Sequence, residues 1–175
     1  KKFHNSLQGE KCVITQSEKK LYEKWNKINS KTIGWNKQDI VIIHDPQPAA
    51  LIKYTKKICP WIWRCHIDLS SPYRKTWNYI KTYIKKYDAM VVSMWEYKKG
   101  LIKEYIIPPS IDPLTDKNRE LSEKEQHQIL KKYKIDLDKP IIAQISRFDK
   151  WKDPLGVTVS YTHLTLPTEL DGVDL

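Results

Sequence analysis

The sequence contains five glycines in 175 residues and none of them cluster, so no glycine-rich loop of the kind that wraps a phosphate is written in it. Arginine is also scarce. Four of the 31 basic residues are Arg (Arg64, Arg74, Arg119 and Arg147) and the others are Lys. Nucleic-acid readers use the arginine fork for bidentate contacts to bases and phosphates, so a formal charge of +10 carried by Lys points first to a solvated surface. Cysteine is limited to Cys12, Cys59 and Cys65, with no CxxC pair. An odd count without a signal peptide favours a reducing, cytoplasmic setting, and each thiol is expected to be a small buried apolar side chain. No apolar run approaches the ~18 residues that spanning a bilayer requires, so no membrane partner is expected. After Lys152 there is no Lys or Arg at all, a composition break that suggests a boundary.

With apolar residues at 40% and charged residues at 30%, a core can be built. Short apolar runs alternate with amphipathic stretches. Asp39–His44, Trp61–Ile67, Ala89–Val92, Tyr105–Ile107 and Pro140–Ile145 read as strands, several of them apolar enough to be buried on both faces. Between them, Leu21, Trp25 and Ile28 mark a helix that Ser17 could cap, and 48–57 is predicted helical. Ser71 and Pro72 open a helix whose stripe is Tyr73, Trp77, Ile80, Ile84 and Tyr87. A helical stretch is expected over 95–103, and Ser122 with Glu125 forms a capping box for a helix to about Tyr133. Strand–helix alternation of this length means βαβ units, hence an α/β fold with a Rossmann-like parallel sheet and helices on both faces. The double proline and polar linker put a domain boundary near 110–121.

In such sheets ligands bind outside the carboxyl ends of the strands. The residues there are His44, Asp45 and Gln47; His66 and Asp68; Asp112; and Arg147 with Lys152. Carboxylate, imidazole and amide groups suit sugar hydroxyls, and Arg and Lys suit a phosphate. Plainer readings exist for each: a turn at Asp45-Pro46 and at Asp112-Pro113, a satisfied strand-end histidine at His66, and solvated charges at Arg147 and Lys152. Trp61, Trp63 and Trp151 are near enough to the strand ends to stack on a sugar ring.

Four blocks, HDPQPAALI (His44 to Ile52), WRCHIDLSSP (Trp63 to Pro72), IPPSIDPLTDKN (Ile107 to Asn118) and PIIAQISRFDKWKDP (Pro140 to Pro154), closely resemble the trehalose synthases of retaining glycosyltransferase family four, which also holds trehalose phosphorylases. KKFHNSLQG at the start fits the same family, so the resemblance covers about residues 1–157. It implies the GT-B fold, two Rossmann-like domains facing across a cleft, of which the sequence would be a fragment. Residues 1–113 would be part of the acceptor-side domain, 114–157 a linker and the start of the donor-binding domain, and 158–175 a non-native tail that packs poorly. The implied reaction is trehalose formation from a nucleotide-activated glucose and glucose. The substrates are small sugars and a nucleotide sugar, with no tightly bound cofactor, no indication of Mg2+, no nucleic acid, and oligomerisation left open. By the same resemblance Arg147 and Lys152 match the basic pair that neutralises the donor diphosphate, and His66 matches the histidine beside the transferred sugar. His44 and Asp45 resemble the acceptor-side pair, and Gln47, Asp68 and Asp112 are further acceptor-side candidates.

Two departures temper the expected activity of these residues alone. The family's glycine-rich loop would precede Lys1, and its two-glutamate donor motif would lie beyond residue 175. The alternatives are a trehalose phosphorylase, which uses glucose 1-phosphate and phosphate, and a non-enzymatic basic binding module.

Overall fold

Four short parallel strands carry the architecture: β1 (Val41–His44), β2 (Trp61–Arg64), β3 (Ala89–Val92) and β4 (Lys103–Ile106), hydrogen-bonded in that order. In this computed structural model the described residues are 1–136, 138–139, 141–148 and 152–160. Two compact units divide at Asp112/Pro113 and are described separately.

In the first unit the register places Val41 beside Trp61, Ile43 beside Trp63, and Trp63 beside Met90. Strand side chains alternate between faces. One face therefore presents Val41, Ile43, Trp61, Trp63, Met90 and Val92, all buried and all in one hydrophobic cluster. The helices α1 (Lys2–Leu7), α3 (Leu51–Tyr54) and α4 (Arg74–Ile84) add Leu7, Leu51, Ile52, Ile80, Tyr83 and Ile84 to that cluster. The α/β parallel sheet expected from the alternation is therefore present. Its second face is covered less than expected among the described residues: Ile42 and Tyr105 remain 52% and 44% exposed.

Local sequence explains most of the elements. Helix α2 (Gln16–Asn29) starts on a capping box formed by Thr15 and Glu18, so the cap is Thr15, not Ser17. Its Leu21, Trp25 and Ile28 stripe is exposed, and the inward side is carried by Tyr22 and the buried Asn26. Tyr22 donates to the Pro46 carbonyl and accepts from the Ala50 amide, which is why a polar-tipped side chain, and not Leu21, faces the sheet. Helix α4 begins after Tyr73 without a side-chain cap, so Ser71 plays no capping part. The region 48–57 yields one helical turn, α3, and 95–103 yields only a short 3-10 turn, Trp95–Tyr97. A buried hydroxyl pair, Ser6 Oγ and Thr76 Oγ1 at 2.7 Å, ties α1 to α4.

Gly9 ends α1 with φ at +98°, and a Cβ there would stand 3.1 Å from the Ser71 carbonyl oxygen. Only glycine adopts that backbone without cost. Gly9→Ala is expected to lower stability by about 1–2 kcal/mol in a urea titration; an unchanged midpoint would show that the turn relaxes freely.

The second unit contains α5 (Glu123–Lys132), opened by the anticipated Ser122/Glu125 capping box. Pro140 lies outside the described residues, and 141–145 are exposed and form no strand, contrary to the sequence expectation. A parallel strand needs a neighbour to take up its backbone groups. No other strand occurs in this unit among the described residues. Residues 154–160 are helical and mostly exposed, and most of the anticipated non-native tail lies outside the described residues.

Candidate functional site

The carboxyl ends of β1 and β2 are locked together by Asp45. Its backbone is left-handed, with φ at 65°, a conformation that Asp tolerates better than most residues. Three contacts hold it there. The Asp45 amide donates to the Arg64 carbonyl at 2.8 Å, its Oδ1 accepts from the His66 amide at 2.8 Å, and its carbonyl accepts from the buried Trp63 indole N–H at 2.9 Å. The carboxylate thus positions the chain entering His66.

His44 and His66 meet as a consequence. His44 Nδ1 and His66 Nε2 are 2.7 Å apart, the ring planes lie within 6° of each other, and the centroids are 5.0 Å apart. These values describe two rings edge to edge in one plane, one nitrogen donating and the other accepting. Both side chains are exposed. Beside them a cavity of about 550 Å³ opens on the less covered sheet face, lined by Ile42, His44, Ile62, Arg64 and His66, and closed by 107–110. Its volume is in the range that holds a small ligand.

Arg64 is the cavity residue that the sequence reading passed over. It pairs in register with His44, and its guanidinium donates to the Val92 carbonyl at 3.2 Å, with the Ser93 hydroxyl at 3.5 Å. Strand alternation signalled it, because Arg64 falls on the Ile62 face at the strand end.

The other candidates are distributed elsewhere. Gln47 gives its carbonyl to the Asn26 side chain and lines a separate groove between α1 and α2. Asp68 accepts from the Ser70 amide at 2.7 Å, a local turn contact, and Asp112 is exposed at the end of the first unit. Arg147 and Lys152 belong to the second unit and are exposed; the Gln144 amide donates to the Lys152 carbonyl. Trp61 and Trp63 are fully buried core residues, which corrects the expectation that they stack on a sugar, and Trp151 lies outside the described residues. Cys59 and Cys65 are buried as anticipated, whereas Cys12 is only partly buried; burial pushes the Cys65 thiol up to about 12, so it is not a nucleophile at neutral pH. Among the described residues no cluster of three or more His, Cys, Asp or Glu could hold a metal ion. No helix there is long and apolar enough to cross a membrane.

A four-stranded parallel sheet with helices, its polar side chains gathered at the strand ends, is an α/β domain of the Rossmann-like class. Residues 1–99 match the family model described as the N-terminal domain of trehalose synthase. The chain is 47% identical over 179 residues to a trehalose synthase of Pyrococcus horikoshii, covering 100% of this chain and 43% of that protein. Against the trehalose synthase of Thermococcus litoralis the identity is 47% over 165 residues, 92% of this chain and 40% of that protein. For the one from Rubrobacter xylanophilus it is 40% over 169 residues, 92% of this chain and 41% of that protein. The chain belongs to the trehalose synthase family, a family of glycosyltransferase type. It spans about two-fifths of the length of the curated relatives it matches.

Proposed function

We propose that the protein carrying this chain is a retaining hexosyltransferase that forms trehalose from a nucleoside-diphosphate glucose and glucose, and that the chain supplies the acceptor-side wall of its cleft. The observation that carries this reading is the His44–His66 pair beside the cavity at the strand ends, in a chain of the trehalose synthase family. In this reading His66 lies against the transferred sugar, and His44 donates to or accepts from an acceptor hydroxyl. Asp45 acts through His66, because its Oδ1 is already engaged by the His66 amide. Gln47, Asp68 and Asp112 contribute outer acceptor contacts.

Arg147 and Lys152 take the donor diphosphate. As the glycosidic bond breaks, negative charge collects on the departing phosphate, and two fixed cations stabilise that charge without a metal. The anomeric carbon keeps its configuration through attack on the face from which the phosphate leaves, with the acceptor proton passing to that phosphate. The setting proposed is cytoplasmic, with small sugars and a nucleotide sugar as the substrates.

In the intact protein, His66→Ala should lower glucosyl transfer about a hundredfold, as loss of one oriented hydrogen-bonding group in a closed site does. Its side chain is exposed and bonded only to His44 among the contacts described, so the melting temperature should not move. A full transfer rate in that variant would remove His66 from the reaction.

A further inference from the structure

Among the described residues no carboxylate lines the cavity at the strand ends. Its titratable lining groups there are Arg64, His44 and His66, and among the described residues Ser110 is the only other polar side chain. Among the described residues Arg64 makes no ion pair within 4.0 Å. Its contacts to the Val92 carbonyl and the Ser93 hydroxyl engage two of the five donors of a guanidinium and fix its direction. The acids nearest in sequence, Asp45 after His44 and Asp68 after His66, each have one oxygen on a backbone amide, that of His66 and that of Ser70. The His44–His66 bond occupies one nitrogen of each ring and leaves the other nitrogen of each for a ligand.

A guanidinium with donors to spare, two imidazoles and a hydroxyl, with no acid among them, is the chemistry that recognises a phosphoryl group. The rest of the lining is apolar: Ile42, Ile62, Val91 and Ile107 on the walls, with Pro108 and Pro109 at the rim. Such a surface takes the C–H face of a pyranose ring. We infer that in the substrate-free protein this cavity binds the phosphate monoester of a hexose as a competitor of the sugar substrates, with the phosphoryl group on Arg64 and the histidine pair and the ring along the apolar strip. The hexose rests on the glucosyltransferase reading, whereas the anion subsite rests on the lining residues alone.

Calorimetry on the intact protein tests this with glucose 6-phosphate, glucose 1-phosphate, inorganic phosphate and glucose as the four probes. Each is measured in an Arg147→Ala background, so that the proposed donor-phosphate site does not contribute. At least one sugar phosphate is expected to bind about tenfold or more tighter than glucose and than inorganic phosphate. Arg64→Met should abolish that preference, and Arg64→Lys should keep part of it. Because Arg64 also braces Val92, His44→Gln serves as a second variant that leaves the brace in place, and it too should weaken the ester. Equal binding of glucose and its phosphates, or a preference that survives both Arg64→Met and His44→Gln, would overturn the anion subsite. Inorganic phosphate binding as tightly as the esters would overturn the hexose. Absence of glucosyl transfer in the wild-type protein, with ester binding intact, would count against the glucosyltransferase reading and not against this subsite.

Discussion

Trp63→Ala is expected to lower the stability of the chain by about 4 kcal/mol, the upper range for truncating a buried aromatic. Trp63 is fully buried between β1 and β3, in register with Ile43 and Met90, and its truncation leaves a cavity that the sheet backbone cannot close. The indole also donates to the Asp45 carbonyl, which holds the left-handed turn that leads the chain to the paired histidines. Trp63→Phe should therefore separate the two effects. It retains most of the volume and loses the hydrogen bond, for about 1–2 kcal/mol. Urea unfolding measures both, and a loss under about 1 kcal/mol for Trp63→Ala would show that the core is not packed as described.

The second large effect is expected at Glu23 of α2, which gathers four donors from two other helices, α3 and α4. Lys53 Nζ lies at 2.8 Å, Tyr54 Oη at 2.9 Å, Tyr79 Oη at 3.1 Å and Tyr83 Oη at 2.6 Å. Burial alone would raise the Glu23 carboxyl, but these four hydrogen bonds outweigh it and bring the group from 4.5 down to about 2. Glu23→Ala should cost about 2–3 kcal/mol, because it leaves the buried Tyr83 and half-buried Tyr79 hydroxyls, 2.8 Å apart, with one acceptor between them, and removes the partner of Lys53 and Tyr54. The sign of the pH dependence follows from linkage. A carboxyl lowered by folding stabilises the native state above its unfolded value, and that contribution is lost as the pH falls from about 4.5 towards 2. Thermal melts of the wild type should therefore weaken across that window. Glu23→Gln should be flatter there, and parallel acid profiles for the two would contradict the network.

How much of this was legible in the sequence depended on how local each signal was. The run AMVV gave β3 to the residue, and Ser122 with Glu125 gave the α5 cap, because both signals sit within four positions of each other. Helix α2 was read on the wrong face. Its apolar stripe is exposed, and the inward residues are a tyrosine and an asparagine whose partners, Pro46, Gln47 and Ala50, lie more than twenty positions away. The 141–145 run failed as a strand for the same reason in reverse: its composition is apolar, but strand formation depends on a neighbour, and apolarity does not supply one. At the site, His44, Asp45 and His66 were readable as strand-end residues. That Asp45 holds a backbone amide, and that Arg64 turns into the cavity beside them, follows from the β1–β2 register and not from either segment alone.

The most direct test of the central claim is a donor comparison on the intact protein. It would be supplied with glucose and either a nucleoside-diphosphate glucose or glucose 1-phosphate, with product anomers resolved by NMR. Stoichiometric trehalose and nucleoside diphosphate from the first mixture, and no turnover of the second, is the predicted result. Trehalose and inorganic phosphate from glucose 1-phosphate, with the nucleotide sugar inert, would contradict it and make the protein a phosphorylase.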